Sequence, residues 1–184
     1  MKRVALLLAD GFEEVEAITP IDFLRRAGIQ VDLLGVKSEM VTGSHGISVK
    51  ADTRIMGYRT MPDGVILPGG MPGAQNIADS SEAITLAKMV GEAGNMIAAI
   101  CAAPAVVLAA HGFLDGKRAT CYPGYESAFG ENTEFSEESV VVDGTTITSR
   151  GAGTAAAFSL AVIRYLAGSE AADKVARETL QSTK

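Results

Sequence analysis

The chain has 184 residues, 47% of them hydrophobic and 21% charged, which suits a single globular domain spanning 1–184 with a sizeable core. A net charge of -6 argues against a nucleic-acid partner, and no apolar run approaches the length of a membrane span. Two cysteines make no disulfide framework, no metal-ligand cluster is visible, and a reducing cytoplasm is the expected setting.

Val4 to Ala9 reads as a buried strand and not as a signal peptide, because the apolar run is short and Asp10, Glu13 and Glu14 follow at once. After a turn at Asp10-Gly11-Phe12, Glu13 to Arg26 has helical spacing, an acidic start and a basic end. Pro20 is expected to kink or divide that helix, and Gly28 to stop it. Ile29 to Val36 is a second strand, so the chain opens strand–helix–strand, the unit of a parallel sheet. Met40 to Ala51 reads as a small hairpin or flap around Gly43-Ser44-His45-Gly46.

Gly64 to Leu67 is a buried strand that ends in the turn Pro68 to Gly73. Ala74 to Ala78 is about one helical turn. Ser81 to Ala93 is a full helix with Ser80 or Ser81 as its N-cap. Met96 to Ile100 is a strand, and Ala102 to Ala110 a helix with Pro104 in its first turn. Gly112 to Lys117 is a loop, Ala119 to Tyr122 a short strand, and Glu126 to Glu138 a polar, acidic stretch. Two strands then straddle Asp143-Gly144, a hairpin signal. Helices over Thr154 to Leu166 and Ser169 to about Leu180 complete the chain.

The alternation predicts an α/β fold: an open, mostly parallel sheet with helices on both faces. Sites in such sheets lie beyond the carboxyl ends of the strands. Four unusual turns collect there: Asp10 to Glu16, Pro68 to Gly73, Cys101 with its neighbours, and Ser149 to Gly153. Cys101 stands at a strand-to-helix bend, where helix N–H groups favour a thiolate. Taken locally, the stretch also fits a plain core cysteine. The convergence of the four turns lifts Cys101 above that reading.

The segments Gly11-Phe12-Glu13-Glu14-Val15-Glu16, Leu67-Pro68-Gly69-Gly70, Ala98-Ala99-Ile100-Cys101-Ala102-Ala103-Pro104 and Thr148-Ser149-Arg150-Gly151-Ala152-Gly153-Thr154 resemble the ThiJ/PfpI superfamily, and within it the DJ-one branch. They stand in that family's order and spacing and cover nearly the whole chain. The resemblance implies a flavodoxin-like three-layer sandwich and a homodimer. It implies that Cys101 is a nucleophile, that Glu16 points at its sulfur, and that the backbone N–H groups of Gly70 and Ala102 form an oxyanion hole, with Gly69 beside them. Sharing one proton, the pair is expected to rest as thiolate plus protonated Glu16.

Many family members carry a histidine before a proline near the cysteine; here that position is Tyr122. Glu16 is then the one evident proton shuttle, since a tyrosine is a poor base at neutral pH. Cys121 is open to two readings, a resolving thiol for oxidised Cys101 or a packed cysteine. Glu13, Glu14 and His45 read as solvated side chains, Arg150 as structural or surface, and His111 as a partner for the end of its own helix.

Two functions follow from the resemblance. One is a cofactor-free, metal-free glyoxalase or deglycase-like enzyme acting on small aldehydes such as methylglyoxal, or on glycated adducts. The other is a redox-responsive stress protein or chaperone with an oxidisable Cys101. Peptidase members have a histidine directly after the cysteine, and Ala102 stands there instead.

Overall fold

The computed structural model describes residues 1–181. A seven-stranded sheet forms its centre. Strands β1 (Arg3–Leu8) and β2 (Gln30–Gly35) are parallel and joined by helix α1 (Glu14–Arg26). The chain then makes a separate antiparallel hairpin, β3 (Met40–Thr42) with β4 (Ser48–Lys50), and adds a short edge strand, β5 (Thr53–Arg54), beside β2. Strand β6 (Gly64–Leu67) lies on the other side of β1, followed by α2 (Gly73–Ala78), α3 (Ser81–Glu92) and β7 (Met96–Ile100). Beyond a π-helical segment, Pro104–Ala109, the chain reaches β8 (Arg118–Ala119), β9 (Glu134–Phe135), β10 (Val140–Asp143) and β11 (Thr146–Ser149). Helices α4 (Ala155–Ala167) and α5 (Ser169–Glu178) follow. The sheet order is β10-β11-β7-β6-β1-β2-β5, parallel throughout except for β10 against β11.

The period-2 alternation of the strands divides the core into two. Leu6 and Leu8 of β1, with Ile66, Ile100 and Ile147, pack against Leu24 of α1, Phe158 and Val162 of α4, and Val175 of α5. Ala5 and Leu7, with Val65, Leu67 and Ala99, pack against Ile77 of α2, Val90 of α3 and Leu108 of the π-helical segment. The result is the expected three-layer sandwich. Among the described residues no helix is long and apolar enough to cross a membrane.

The structure corrects several local expectations. Pro20 does not divide α1, which runs unbroken through it. Buried Ala17, Ile21 and Leu24 hold both halves of the helix to one core, and the missing N–H forfeits only one ladder bond. The stretch after Cys101 is wound as a π-helix over Pro104–Ala109. Ala105 and Val106 both donate to the Ala102 carbonyl, and Phe113 closes onto Leu108 five residues back. The strand expected over Ala119 to Tyr122 is only Arg118–Ala119, paired with β9 outside the main sheet. It ends there because the next amides bind elsewhere: Thr120 donates to Thr148 Oγ1, and Tyr122 to the Cys101 carbonyl. The Met40 to Ala51 hairpin, the turn at Gly144 and the Ser80 cap, whose Oγ accepts the Ala83 N–H at 3.2 Å, are as expected.

Candidate active site

Cys101 sits where β7 stops. Its φ is +65°, in the left-handed region that residues with a Cβ seldom adopt, at a cost of about 1–2 kcal/mol. Two backbone bonds hold it there. Its N–H donates to the Ser149 carbonyl at 2.9 Å, and its carbonyl accepts the Tyr122 N–H at 2.8 Å. The bend is thus fixed by the loops after β11 and β8, and it turns the side chain out of the sheet; Cys101 is half-buried.

Glu16, near the start of α1, is 1% exposed. Its Oε2 accepts the Gly69 N–H at 3.0 Å, and its carboxyl lies beside the Cys101 thiol. The N–H groups of Gly70 and Ala102 face the Cys101 sulfur and favour its charged form. Gly69 has to lack a side chain, because a Cβ there would lie 2.5 Å from the Cys101 Cβ and 2.6 Å from Glu16 Oε2. Gly70 has a φ of +83°, and a Cβ on it would collide with the Glu13 amide. The structure therefore brings Cys101, Glu16, Gly69, Gly70 and Ala102 into one cluster at the carboxyl ends of β6 and β7.

Burial dominates the ionisation of this cluster. It pushes Glu16 up to about 7, while hydrogen bonds from Cys101 and the Gly69 N–H pull the other way and the Glu13 charge adds to the rise. Burial, then the charge of Glu16 and the hydrogen bond to it, push the Cys101 thiol up to about 12, against the pull of the Gly70 and Ala102 N–H groups. The expectation of a thiol made easy to ionise by a helix start is thus not met for Cys101 alone. Burial and the adjacent carboxylate outweigh the two amides. Glu16 therefore ionises first, and the pair rests above pH 7 as a thiol beside a carboxylate, the reverse of the expected thiolate and protonated Glu16.

Tyr122 borders the cluster. It is 48% exposed, and its ring lies over Gly151, where an added Cβ would come 3.2 Å from Cδ2. Tyr125 meets the ring edge-on at 6.3 Å. Cys121 is fully buried, and burial pushes its thiol up to about 11. Arg150 donates to the Glu137 carbonyl at 3.1 Å. His111 Nε2 donates to the Ala78 carbonyl at 3.1 Å, so it serves the end of α2 and not its own helix.

Glu14 is not solvated, contrary to expectation, whereas the His45 side chain is exposed as expected yet bonds to it. Glu14 is buried and accepts the His45 N–H and Nδ1, each at 2.8 Å. Burial by itself would raise the Glu14 pKa, but the bonds from the His45 side chain, from its own amide and from the amides of His45 and Ile47 bring it down to about 2. A carboxylate oxygen of Glu13, one of Glu14 and a ring nitrogen of His45 lie within 4.8 Å of one another, and the polar bonds just described join Glu14 to His45. No local signal announces this cluster, because His45 is 31 residues from Glu14. An apolar groove of about 460 Å³, between Tyr58 and Met61 on one side and α3 on the other, shares no residue with the Cys101 cluster.

The site can be set beside known proteins. Protein dj-1beta of Drosophila melanogaster is 40% identical over 182 residues, covering 97% of each chain. The DJ-1 homolog B of Arabidopsis thaliana is 36% identical over 176 residues, and this chain spans only 40% of its length. A protein of Pyrococcus abyssi named as a deglycase is 32% identical over 166 residues, covering 89% of this chain and 99% of that one. The structure of oxidized Toxoplasma gondii DJ-1 superposes with a TM-score of 0.96 at 39% identity over the whole of both chains. The DJ-1/PfpI family model matches residues 2–165, which contain every element from β1 through most of α4 and all of the cysteine cluster. By sequence and by fold, the chain belongs to the DJ-1/PfpI family.

Proposed function

We propose that the protein is a cofactor-free, cysteine-dependent enzyme that converts small α-oxoaldehydes such as methylglyoxal, or their adducts, to hydroxy acids. The observation that carries this reading is the cluster itself: a sulfur on a left-handed bend, two N–H groups facing it, and one buried carboxyl beside it. The name of the Pyrococcus abyssi relative supports the version that acts on adducts.

The pair has one proton to place above its first titration. With that proton on Glu16, Cys101 is a thiolate, the form favoured by the Gly70 and Ala102 N–H groups. The sulfur attacks the aldehyde carbon. The S–C bond forms, the C=O π bond breaks, and the oxygen takes the proton from Glu16 to give a hemithioacetal. During the attack the Gly70 and Ala102 N–H groups stabilise the developing negative charge. Glu16, now a carboxylate, removes the hydrogen on C1 as a proton and returns it to C2, while the hydroxyl proton passes from the first oxygen to the second. C1 is oxidised and C2 reduced, so the step needs no external oxidant or reductant. The product is a thioester on Cys101. Water adds to it, the S–C bond breaks, and the hydroxy acid leaves as the thiol is restored. Tyr122 walls the opening without acting as a base.

The test is the loss of methylglyoxal with purified protein beside Cys101→Ser and Glu16→Gln. Saturable turnover lost in both variants supports the reading; equal inactivity of wild type and Cys101→Ser overturns it for that substrate. A second reading, a redox-responsive protein, draws on the half-buried Cys101 and on the oxidized state named for the Toxoplasma gondii relative. In that reading, peroxide converts Cys101 to a sulfinate held by a hydrogen bond from Glu16. Mass spectrometry after peroxide titration checks it. We also propose that the protein is a homodimer, since Val15 and Ile18 of α1 and Met40 and Ile47 of the hairpin are exposed. Sedimentation of the protein gives the answer.

A further inference from the structure

The hairpin β3–β4 has no part in the chemistry proposed for Cys101, yet it is tied to the site by a continuous run of polar contacts. Glu14 anchors it. Oε1 of Glu14 accepts the His45 N–H at 2.8 Å and the Ile47 N–H at 3.4 Å, and Oε2 accepts His45 Nδ1 at 2.8 Å. Gly43 lies so close to this carboxylate that a Cβ would overlap it. The hairpin also binds the turn before α1: Ser44 N–H donates to the Phe12 carbonyl and Gly11 N–H to the Thr42 carbonyl, both at 2.8 Å. Thr42 N–H donates to Asp10 Oδ1 at 2.9 Å.

That turn in turn holds the glycine loop. Glu13 N–H donates to the Gly69 carbonyl at 3.0 Å, and Gly73 N–H to the Gly11 carbonyl at 3.2 Å. A Cβ on Gly70 would collide with both the Glu13 amide and the Gly11 carbonyl, so the turn and the glycine loop are closely apposed. Gly69 and Gly70 supply the amides that bond to Glu16 and face the Cys101 sulfur.

We propose that Glu14 and His45 are positioning residues that hold the Gly69–Gly70 amides in register with Glu16 and Cys101 through the β3–β4 hairpin. The proposal rests on the catalytic reading above only for what those amides do. The charged groups that face His45 are the carboxylates of Glu13 and Glu14, at 3.4 and 2.8 Å from Nδ1. The bond to Glu14 raises the His45 pKa from its ordinary value, with the charges of Glu13 and Glu14 adding to it. At low pH the bond joins a cation to a carboxylate. As pH rises through the His45 titration the bond loses its charge assistance, and the hold on the turn weakens.

The experiment measures amide hydrogen exchange, corrected for intrinsic rates, at Gly43, Ile47, Gly69 and Gly70 from pH 6 to 9. It compares wild type, His45→Ala and His45→Asn, and measures Cys101 alkylation by iodoacetamide alongside. Because the Gly69 N–H donates to Glu16, which itself titrates in this range, the reading is the ratio to His45→Ala at each pH. Wild type should exceed His45→Ala in Gly69 and Gly70 protection about tenfold at low pH, with the ratio falling towards one as pH rises, and His45→Asn, a donor that does not titrate, should keep a constant, intermediate ratio. Exchange and alkylation report on the site even if methylglyoxal is not turned over, so failure of the catalytic reading is told apart from failure of this one. Wild-type protection at Gly69 and Gly70 in His45→Ala overturns the proposal, whatever happens at Gly43 and Ile47.

Discussion

The carboxyl of Glu16 and the thiol of Cys101 lie side by side inside the protein, and burial raises both. A folded-state value of about 7 for Glu16 means that the native chain binds its proton more tightly than the unfolded chain does. The stability linked to Glu16 is therefore full below the unfolded value near 4.5 and is lost as pH rises towards 7.

The first prediction concerns Glu16→Gln, which removes the charge but keeps the shape. Its melting temperature should exceed that of wild type above pH 7 and converge with it near pH 4. The difference corresponds to at most about 3 kcal/mol. Thermal unfolding at the two pH values measures it.

The same substitution should change the alkylation profile of Cys101. Wild type should react mainly as the thiol loses its own proton, well above the Glu16 titration near pH 7. In Glu16→Gln one step should remain, lying above the first wild-type step and below the value of about 12 for the second, because the Glu16 charge no longer opposes the thiolate. Iodoacetamide rates against pH give both curves. An unshifted profile in the variant would mean that the two groups do not titrate together.

Gly69→Ala tests the steric argument. The added methyl would lie within 2.6 Å of both Cys101 Cβ and Glu16 Oε2, and each of those is held by buried bonds. Overpacking of this kind costs about 1–3 kcal/mol, and the Cys101 alkylation profile should be displaced with it. Urea denaturation and alkylation of the variant supply the two readings.

Ser80→Ala removes the oxygen that accepts the Ala83 N–H at the start of α3 and should cost about 1 kcal/mol. Ser81→Ala should change little, because Ser81 bonds only to the exposed Glu82 side chain. Equal losses in the two variants, in urea denaturation, would contradict the assigned cap.

Glu14 makes a prediction at the acid end. Its folded value of about 2 lies below the unfolded one, so its contribution is full above pH 4.5 and is lost as pH falls through 2. Glu14→Gln should be less stable than wild type at pH 7 and should lose less on acidification. Melting temperatures from pH 2 to 7 check the sign.

The order of strands and helices was legible in the chain because it rests on local period: apolar runs for β1, β6 and β7, 3.6-residue spacing for α1 and α3, and Asp143-Gly144 for the β10–β11 turn. Cys101, Glu16, Gly69 and Gly70 were legible through their motifs, and Ser80 through its place before a helix. The conformation that aims Cys101, the wide winding after it and the early end of β8 depend on where backbone amides find carbonyls or hydroxyls from distant segments, and those partners have no sequence period. The burial of Glu14 against His45 and the upward shift of Cys101 were likewise decided by tertiary structure. A carboxylate or thiol is charged or neutral according to the water it has lost and the dipoles that replace it, and folding alone sets both.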